Sequence, residues 1–327
     1  MGKRKWIWIL GGVIWVILGL FPSLPWAAEE KYPTRQIEII VNFPPGGPLD
    51  TGVRVIHPAL QKELGVPIVL TTKGGAGGAM GADFVAKAKA DGYTVLATNN
   101  GALTIAPQLN PQITYKHQDF SPVCTFVADP AVITSKAKAP WRNLEELVDY
   151  AKKNPGKLNY GTPGMGTVAF FTMELFKMAY GLDIVPVHFQ GTGPAKNAIL
   201  GGHVDLASSG FGSLSPLIKS GDIIPLVTTA SKRVAEFPNV PTMAEKGFPD
   251  ATLNIWFGLL VPQKCPPPVA QRIALAMDKV MKDPAIISQL EKSGLIVDYR
   301  DSESMRKLVV EEYGTLAKVI QKTGMGK

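Results

Sequence analysis

Short apolar runs rich in β-branched residues alternate with helical stretches along most of this chain, and that rhythm restricts its fold more than any other feature. The run at 36–43 (QIEIIVNF) ends in Pro44-Pro45-Gly46-Gly47, and a helical stretch at 49–64 follows. Residues 66–72 read as the next strand, 78–90 as a small-residue helix, and 94–98 as a third strand closed by Asn99-Asn100-Gly101. This is the pattern of βαβ units on a parallel sheet. The rhythm resumes after a longer extended region at 120–134. A helix is expected at 144–152, with Asn143 as its N-cap and Glu146 three residues on, a variant of the capping box. Strands are expected at 158–161, 184–189, 204–208 and 223–229, with helices at 167–180 and 194–200. A long apolar strand at 253–261 is placed to cross back, and helices at 268–281 and 304–321 finish the chain. In the last of these, Met305, Leu308, Val309, Leu316 and Ile320 share one face, as packing on a core requires. The expected fold is α/β, with two sheets joined by extended segments and a cleft between them. The first domain is assigned to 29–122 plus 253–327 and the second to 123–252.

Composition removes several function classes. Of 327 residues, 46% are hydrophobic and 19% charged, enough to build a sizeable core and too few charges for a disordered chain. Two cysteines, Cys124 and Cys265, are too few for a disulfide scaffold, and the sequence assigns no bond between them. The four histidines show no metal-ligand spacing, so no metal and no cofactor are expected. Residues 1–28 read as a secretory signal: Lys3, Arg4 and Lys5, then an uncharged run from Trp6 to Phe21, then small residues near Ala27 and Ala28. The run is shorter than the ~20 residues that span a bilayer, although an uncleaved anchor is the alternative reading. The signal holds three of the 34 basic residues, which leaves 31 against 27 acidic ones, a formal charge of +4 in place of +7. Without a basic run interleaved with aromatics, nucleic-acid binding has no support. The expected compartment is the periplasm.

Ligands of open α/β sheets bind beyond the carboxyl ends of the strands. Three Gly/Pro/Thr-rich loops stand there: Pro44 to Asp50, Gly161 to Thr167, and Gln190 to Pro194. Each leads into a helix, whose first N–H groups are unpaired and carry about half a positive charge. Such heads hold a carboxylate or a phosphate without lysine or arginine. A plain turn is the other reading of any one loop. Asp50, the one carboxylate among them, either caps its helix or accepts from a ligand donor. The enzyme motifs G-x-S-x-G, G-x-G-x-x-G and G-x-x-x-x-G-K-[ST] are absent.

The stretches Tyr32-Pro33-Thr34-Arg35, Phe43 to Asp50, Gly74-Gly75-Ala76-Gly77-Gly78, Asp91-Gly92-Tyr93-Thr94 and Tyr160 to Thr167 carry a resemblance. So do Gln190 to Ala195, Leu200 to Leu206, Pro238 to Thr242 and Trp256-Phe257-Gly258. In this order they resemble the substrate-binding proteins of tripartite tricarboxylate transporters, the Bug family, across essentially all of the chain beyond the signal. The resemblance implies a two-domain periplasmic-binding-protein fold, type II-like, with a hinged cleft. It also implies a small carboxylated solute, membrane permease subunits as partners, and no enzyme activity; a monomer is expected. It implies a ligand carboxylate held by the loops matching Pro44 to Asp50 and Tyr160 to Thr167, with hydroxyls of Thr162 and Thr167 and backbone donors of Gly46 and Gly47. The candidate binding set is Pro45, Gly46, Gly47, Asp50, Asn100, Thr162, Gly164, Gly166, Thr167, Phe189, Gln190, Gly191 and Ser208. Departures bear on the ligand: Phe170 stands where the family often has a histidine, Gln190 where it often has a basic residue, and Ser208-Ser209 where it often has a phenylalanine and an acid. A monocarboxylate, an aromatic acid and a dicarboxylate with a neutral far contact all remain open. Two rival readings are a periplasmic sensor feeding a membrane partner and an exported hydrolase using Ser208 or Ser209, which would need a base within hydrogen-bond reach.

Overall fold

The structure is a computed structural model that describes residues 32–325; the export segment expected over 1–28 lies outside the described residues. Strand β1 (Ile37–Val41) leads into helix α1 (Pro48–Leu64), and β2 (Ile68–Thr72) leads into α2 (Ala79–Ala86). After β3 (Thr94–Asn99) come a short π-helical turn and α3 (Ala106–Leu109). The long strand β4 (Phe120–Lys136) then opens a second set: α4 (Leu144–Lys153), β5 (Leu158–Thr162), α5 (Val168–Tyr180), β6 (Ile184–His188) and α6 (Thr192–Leu200). That set continues with β7 (Leu206–Gly210), α7 (Phe211–Ser220) and β8 (Ile223–Thr228). The chain returns through β9 (Asn254–Pro262), α8 (Pro267–Met281), α9 (Pro284–Lys292), β10 (Val297–Arg300) and α10 (Ser302–Thr323).

Local chemistry sets the helix boundaries. The Asn143 side chain accepts from the Glu146 N–H at 2.9 Å, as the spacing predicted. Asp283 and Asp301 cap α9 and α10 in the same way. Gly65 ends α1 in the left-handed conformation that favours glycine (φ 73°). The buried face of α10 carries Met305, Val309 and Leu316.

The strand order is β2-β1-β3-β9-β4-β7-β5-β6, with β8 and β10 also paired to β4. Two separate sheets were expected; instead the joining segment is itself a strand of both halves. The first half of β4 pairs with β9 and β10, and its second half pairs with β7 and β8. Its residues are buried almost throughout, which explains a run of Val, Ile, Phe and Ala without the alternation of a half-exposed strand. Thr229 and Leu253 run beside it, Thr229 N–H donating to Ala131 and Leu253 N–H to Thr229. One lobe, on β1, β2, β3 and β9, packs Leu96, Phe120, Trp256 and Met305. The other, on β5, β6 and β7, packs Trp141, Tyr160 and Phe176 on one side and Val204, Phe211 and Leu214 on the other. Each such side chain contributes roughly 1.5–3 kcal/mol by leaving water.

Helix α7, helix α9 and strand β10 have no counterpart in the sequence reading. In α7, Gly212, Ser213, Ser215 and Pro216 mask the apolar period that Phe211 and Leu214 supply by packing in the core. Cys124 and Cys265 are both buried and free.

Candidate functional site

Parallel strands end together, so the helices that follow them start together. Four helices begin at the cleft: α1 in the first lobe and α5, α6 and α7 in the second. They differ in what meets their first N–H groups. Helix α1 starts after Gly47 with no side-chain cap, and Pro48 removes one donor. The carboxylate of Asp50 turns back to accept from the Gly46 N–H at 3.0 Å and pairs with Arg54 at 2.9 Å. Gly46 is thereby spent within its own loop, and Asp50 is a local brace.

Helix α5 is capped by Thr167, whose hydroxyl accepts from the Phe170 N–H at 3.2 Å and donates to the Gly164 carbonyl at 2.7 Å. The Val168 and Ala169 N–H groups are left without a partner among the described residues. Helix α6 has no side-chain cap, and Gly191 holds φ at 120°, a conformation open to glycine. The Gly191 N–H donates to the Pro163 carbonyl at 3.0 Å, which ties this head to the α5 loop. Thr192 and Gly193 then present N–H groups without partners among the described residues. At α7 the position is filled: the Gly212 N–H donates to both carboxyl oxygens of Asp129, at 3.1 and 3.0 Å, and Phe211 donates as well. Burial pushes the Asp129 carboxyl up to about 7 against the pull of those two N–H groups.

The heads of α1, α5 and α6 face one cavity. Gly47, Pro48 and Leu49 form one side, Thr167, Val168 and Ala169 another, and Gly191, Thr192 and Gly193 a third. Asn99, Ile255, Phe257, Ser209 and Gly210 close the end nearest β4. Among the described residues no charged side chain lines the cavity. The neutral polar side chains are Thr167, whose hydroxyl is spent in the α5 cap, Asn99, which accepts from the Ala102 N–H, and Thr192 and Ser209, whose hydroxyls are 3.5 Å apart. The lobes meet in backbone contact beside it. A methyl group on Gly101 would lie 3.0 Å from the Gly166 carbonyl and from Thr167 Cα, and one on Gly191 would lie 3.1 Å from Pro44 Cδ.

Of the candidate set, Pro45, Gly47, Thr167 and Gly191 line the cavity. The others stand behind it or away from it. Thr162 is fully buried, its hydroxyl 3.3 Å from His188 Nδ1 and accepting from the Gly164 N–H at 3.4 Å. Gly164 and Gly166 pack against Gly77 and Ala106 of the opposite lobe. Asn100 points away, donating to the Asn254 carbonyl and to Glu312, whose carboxyl burial pushes up to about 7. Phe189 packs over Gly161, and Gln190 is exposed. The Ser208 hydroxyl is buried without a partner. The Ser209 hydroxyl meets Thr192 and Ser213, so no histidine is within hydrogen-bond reach of either serine among the described residues. No described group of three His, Cys, Asp or Glu residues could hold a metal.

The sequence reading missed Asn99, Ile255, Phe257 and the buried Asp129. Asn99 and Asn100 are neighbours, and consecutive residues leaving a strand point to different sides. Asp129 had a signal: a lone acid inside an apolar strand must find donors once buried.

Known proteins share this architecture. Residues 53–325 match the family described as tripartite tricarboxylate transporter family receptor. BugT of Bordetella pertussis is 32% identical over 314 residues, 94% of this chain and 96% of BugT. Two solved structures superpose with a TM-score of 0.83 and 30% identity each. The periplasmic binding protein BugD matches 90% of this chain and 99% of its own. MatC of Rhodopseudomonas palustris with bound malate matches 88% of this chain and all of its own. The fold is that of the periplasmic binding proteins, and the chain belongs to the tripartite tricarboxylate transporter receptor family of periplasmic solute-binding receptors.

Proposed function

We propose that this protein is an extracytoplasmic receptor that captures a small organic acid in the cleft and delivers it to the membrane subunits of a tripartite transporter. The observation that carries the reading is the convergence of uncapped helix heads on a cavity with no charged lining side chain. Unpaired N–H groups of α5 and α6, with that of Gly47 across the cleft, satisfy a carboxylate by hydrogen bonds and by the helix dipoles. Hydrogen bonds to a charged partner are each worth roughly 1.5–3 kcal/mol. Malate in the relative MatC supports the acid class.

The two lobes, divided near 122 and 253, would act as the moving bodies, with β4 and the strand returning beside it as the hinge. An acid bridging heads on both lobes binds the closed form better than the open one, and it is that difference which favours closure. Isothermal titration with acids and their amides tests the reading. An acid that binds while its amide does not is the expected outcome. Binding of the amide alone would contradict it.

A further inference from the structure

The cleft has two chemically different ends, and the strand order places them. Moving outward from the shared strand β4, the first lobe presents β9, β3 and β1, and the second presents β7, β5 and β6. The outer and middle parts of the cavity are therefore walled by the loops after β1, β5 and β6, where the uncapped heads of α1 and α6 lie with the head of α5, whose first N–H groups are without partners among the described residues. The end next to β4 is walled by Ile255 and Phe257 of β9 and by Ser209 and Gly210 of β7. Register fixes this: Phe257 pairs with Asn99, Ile255 with Asp129, and Gly210 with Ala131.

At that inner end the natural second anion site is already filled. Helix α7 begins there, and its Phe211 and Gly212 N–H groups go to the chain's own Asp129. No cation pairs with Asp129 among the described residues. Its carboxyl lies directly behind the cavity wall, since a methyl group on Gly210 would collide with it and would lie 3.0 Å from its Cγ. A ligand carboxylate placed there would find two apolar side chains, the Asn99 amide, one serine hydroxyl already bonded within the lobe, and a like charge behind the backbone. Like charges across a dry wall repel strongly.

We infer that the cleft selects a monocarboxylate with an apolar body, its acid end at the heads of α1, α5 and α6 and its body against Ile255 and Phe257. This rests on the receptor reading above and narrows it, away from the dicarboxylate bound by MatC. The inner wall disfavours a second carboxylate by offering it a single neutral amide, that of Asn99, against apolar side chains, and Asp129 adds repulsion.

Isothermal titration of the purified protein at pH 8 with two matched pairs, hexanoate with adipate and benzoate with terephthalate, tests it, with hexanamide and benzamide as uncharged controls. The monoacid of at least one pair is expected to bind at least tenfold tighter than its diacid. In Asp129→Asn that ratio is expected to shrink severalfold while the monoacid affinity holds. A diacid that binds as tightly as its monoacid overturns the inference and leaves the receptor reading intact. An unchanged ratio in the variant overturns the role given to Asp129. If none of the four acids binds, this inference falls; if only an amide binds, the receptor reading falls with it.

Discussion

Helices α6 and α7 belong to one lobe, start at the ends of parallel-packed loops, and open on the same cavity, yet they meet it in opposite ways. The head of α7 is satisfied from within by Asp129. The head of α6 has no side-chain cap, and its Thr192 and Gly193 N–H groups have no internal acceptor among the described residues. An uncapped helix start is ordinarily a cost of about 1 kcal/mol. Leaving it uncapped toward a cavity reserves the donors for something else, while filling the other removes a competing site. On the proposed reading, similar local geometry gives a binding end and a rejecting end, and the difference is one buried carboxylate.

The largest effect expected from this contrast is on stability. The Asp129 carboxyl, ordinarily near 3.8, is held at about 7, so the folded protein keeps its proton where the unfolded chain has lost it. The folded state binds more protons between pH 4 and 7, and stability falls as pH rises through that window. The loss is ~4 kcal/mol at the most, at 1.4 per unit. Urea unfolding from pH 4 to pH 8 for the parent and for Asp129→Asn isolates it, because the other titrating groups cancel in the difference. A difference that grows with pH in favour of the variant is expected; parallel curves would break the contrast at its α7 side.

Next in size is the α6 side. Thr192→Pro deletes one N–H at the first helical position, where proline is accommodated. Acid affinity is expected to fall about tenfold or more with the melting temperature held, since a bond to a charged group is worth roughly 1.5–3 kcal/mol. Thr192→Ala, which removes only the hydroxyl, separates the backbone donor from the side chain. Equal affinity in Thr192→Pro and the parent would mean that the α6 head holds nothing.

A smaller change is expected at Thr162. Its hydroxyl bonds within the lobe, to Gly164 and His188, and lies outside the cavity lining. Thr162→Ala should alter acid affinity less than about threefold, within the ~0.5 kcal/mol scatter of remote sites. A tenfold loss by titration would return Thr162 to direct ligand contact. Gln190→Ala, at an exposed position, should change nothing in the same assay.

The βαβ rhythm was readable because strands and helices have different periods, and most elements fall within a few residues of their predicted ends. The Gly-rich loops were readable too, since Gly47, Thr167 and Gly191 do stand at the cleft. What the sequence withheld depends on side-chain direction and on pairs distant along the chain. Thr162 and Ser208 face inward from strand ends that lie beside the cavity. Ile255 and Phe257 reach the cavity only because β9 runs antiparallel to β3, so that their end of β9 meets the carboxyl end of β3. Asp129 acts on residues 211 and 212, more than 80 positions away, through a helix whose serines, glycine and proline hide its period.

The central claim is that backbone N–H groups at helix heads, without a cationic side chain, hold the acid. A crystal structure of the protein with bound hexanoate or benzoate tests it most directly. The account predicts the carboxylate oxygens within hydrogen-bond distance of N–H groups at Val168 or Ala169 and at Thr192 or Gly193, with the hydrocarbon body against Ile255 and Phe257. A carboxylate paired instead with a lysine or arginine, or seated against the inner wall at Gly210, would contradict it.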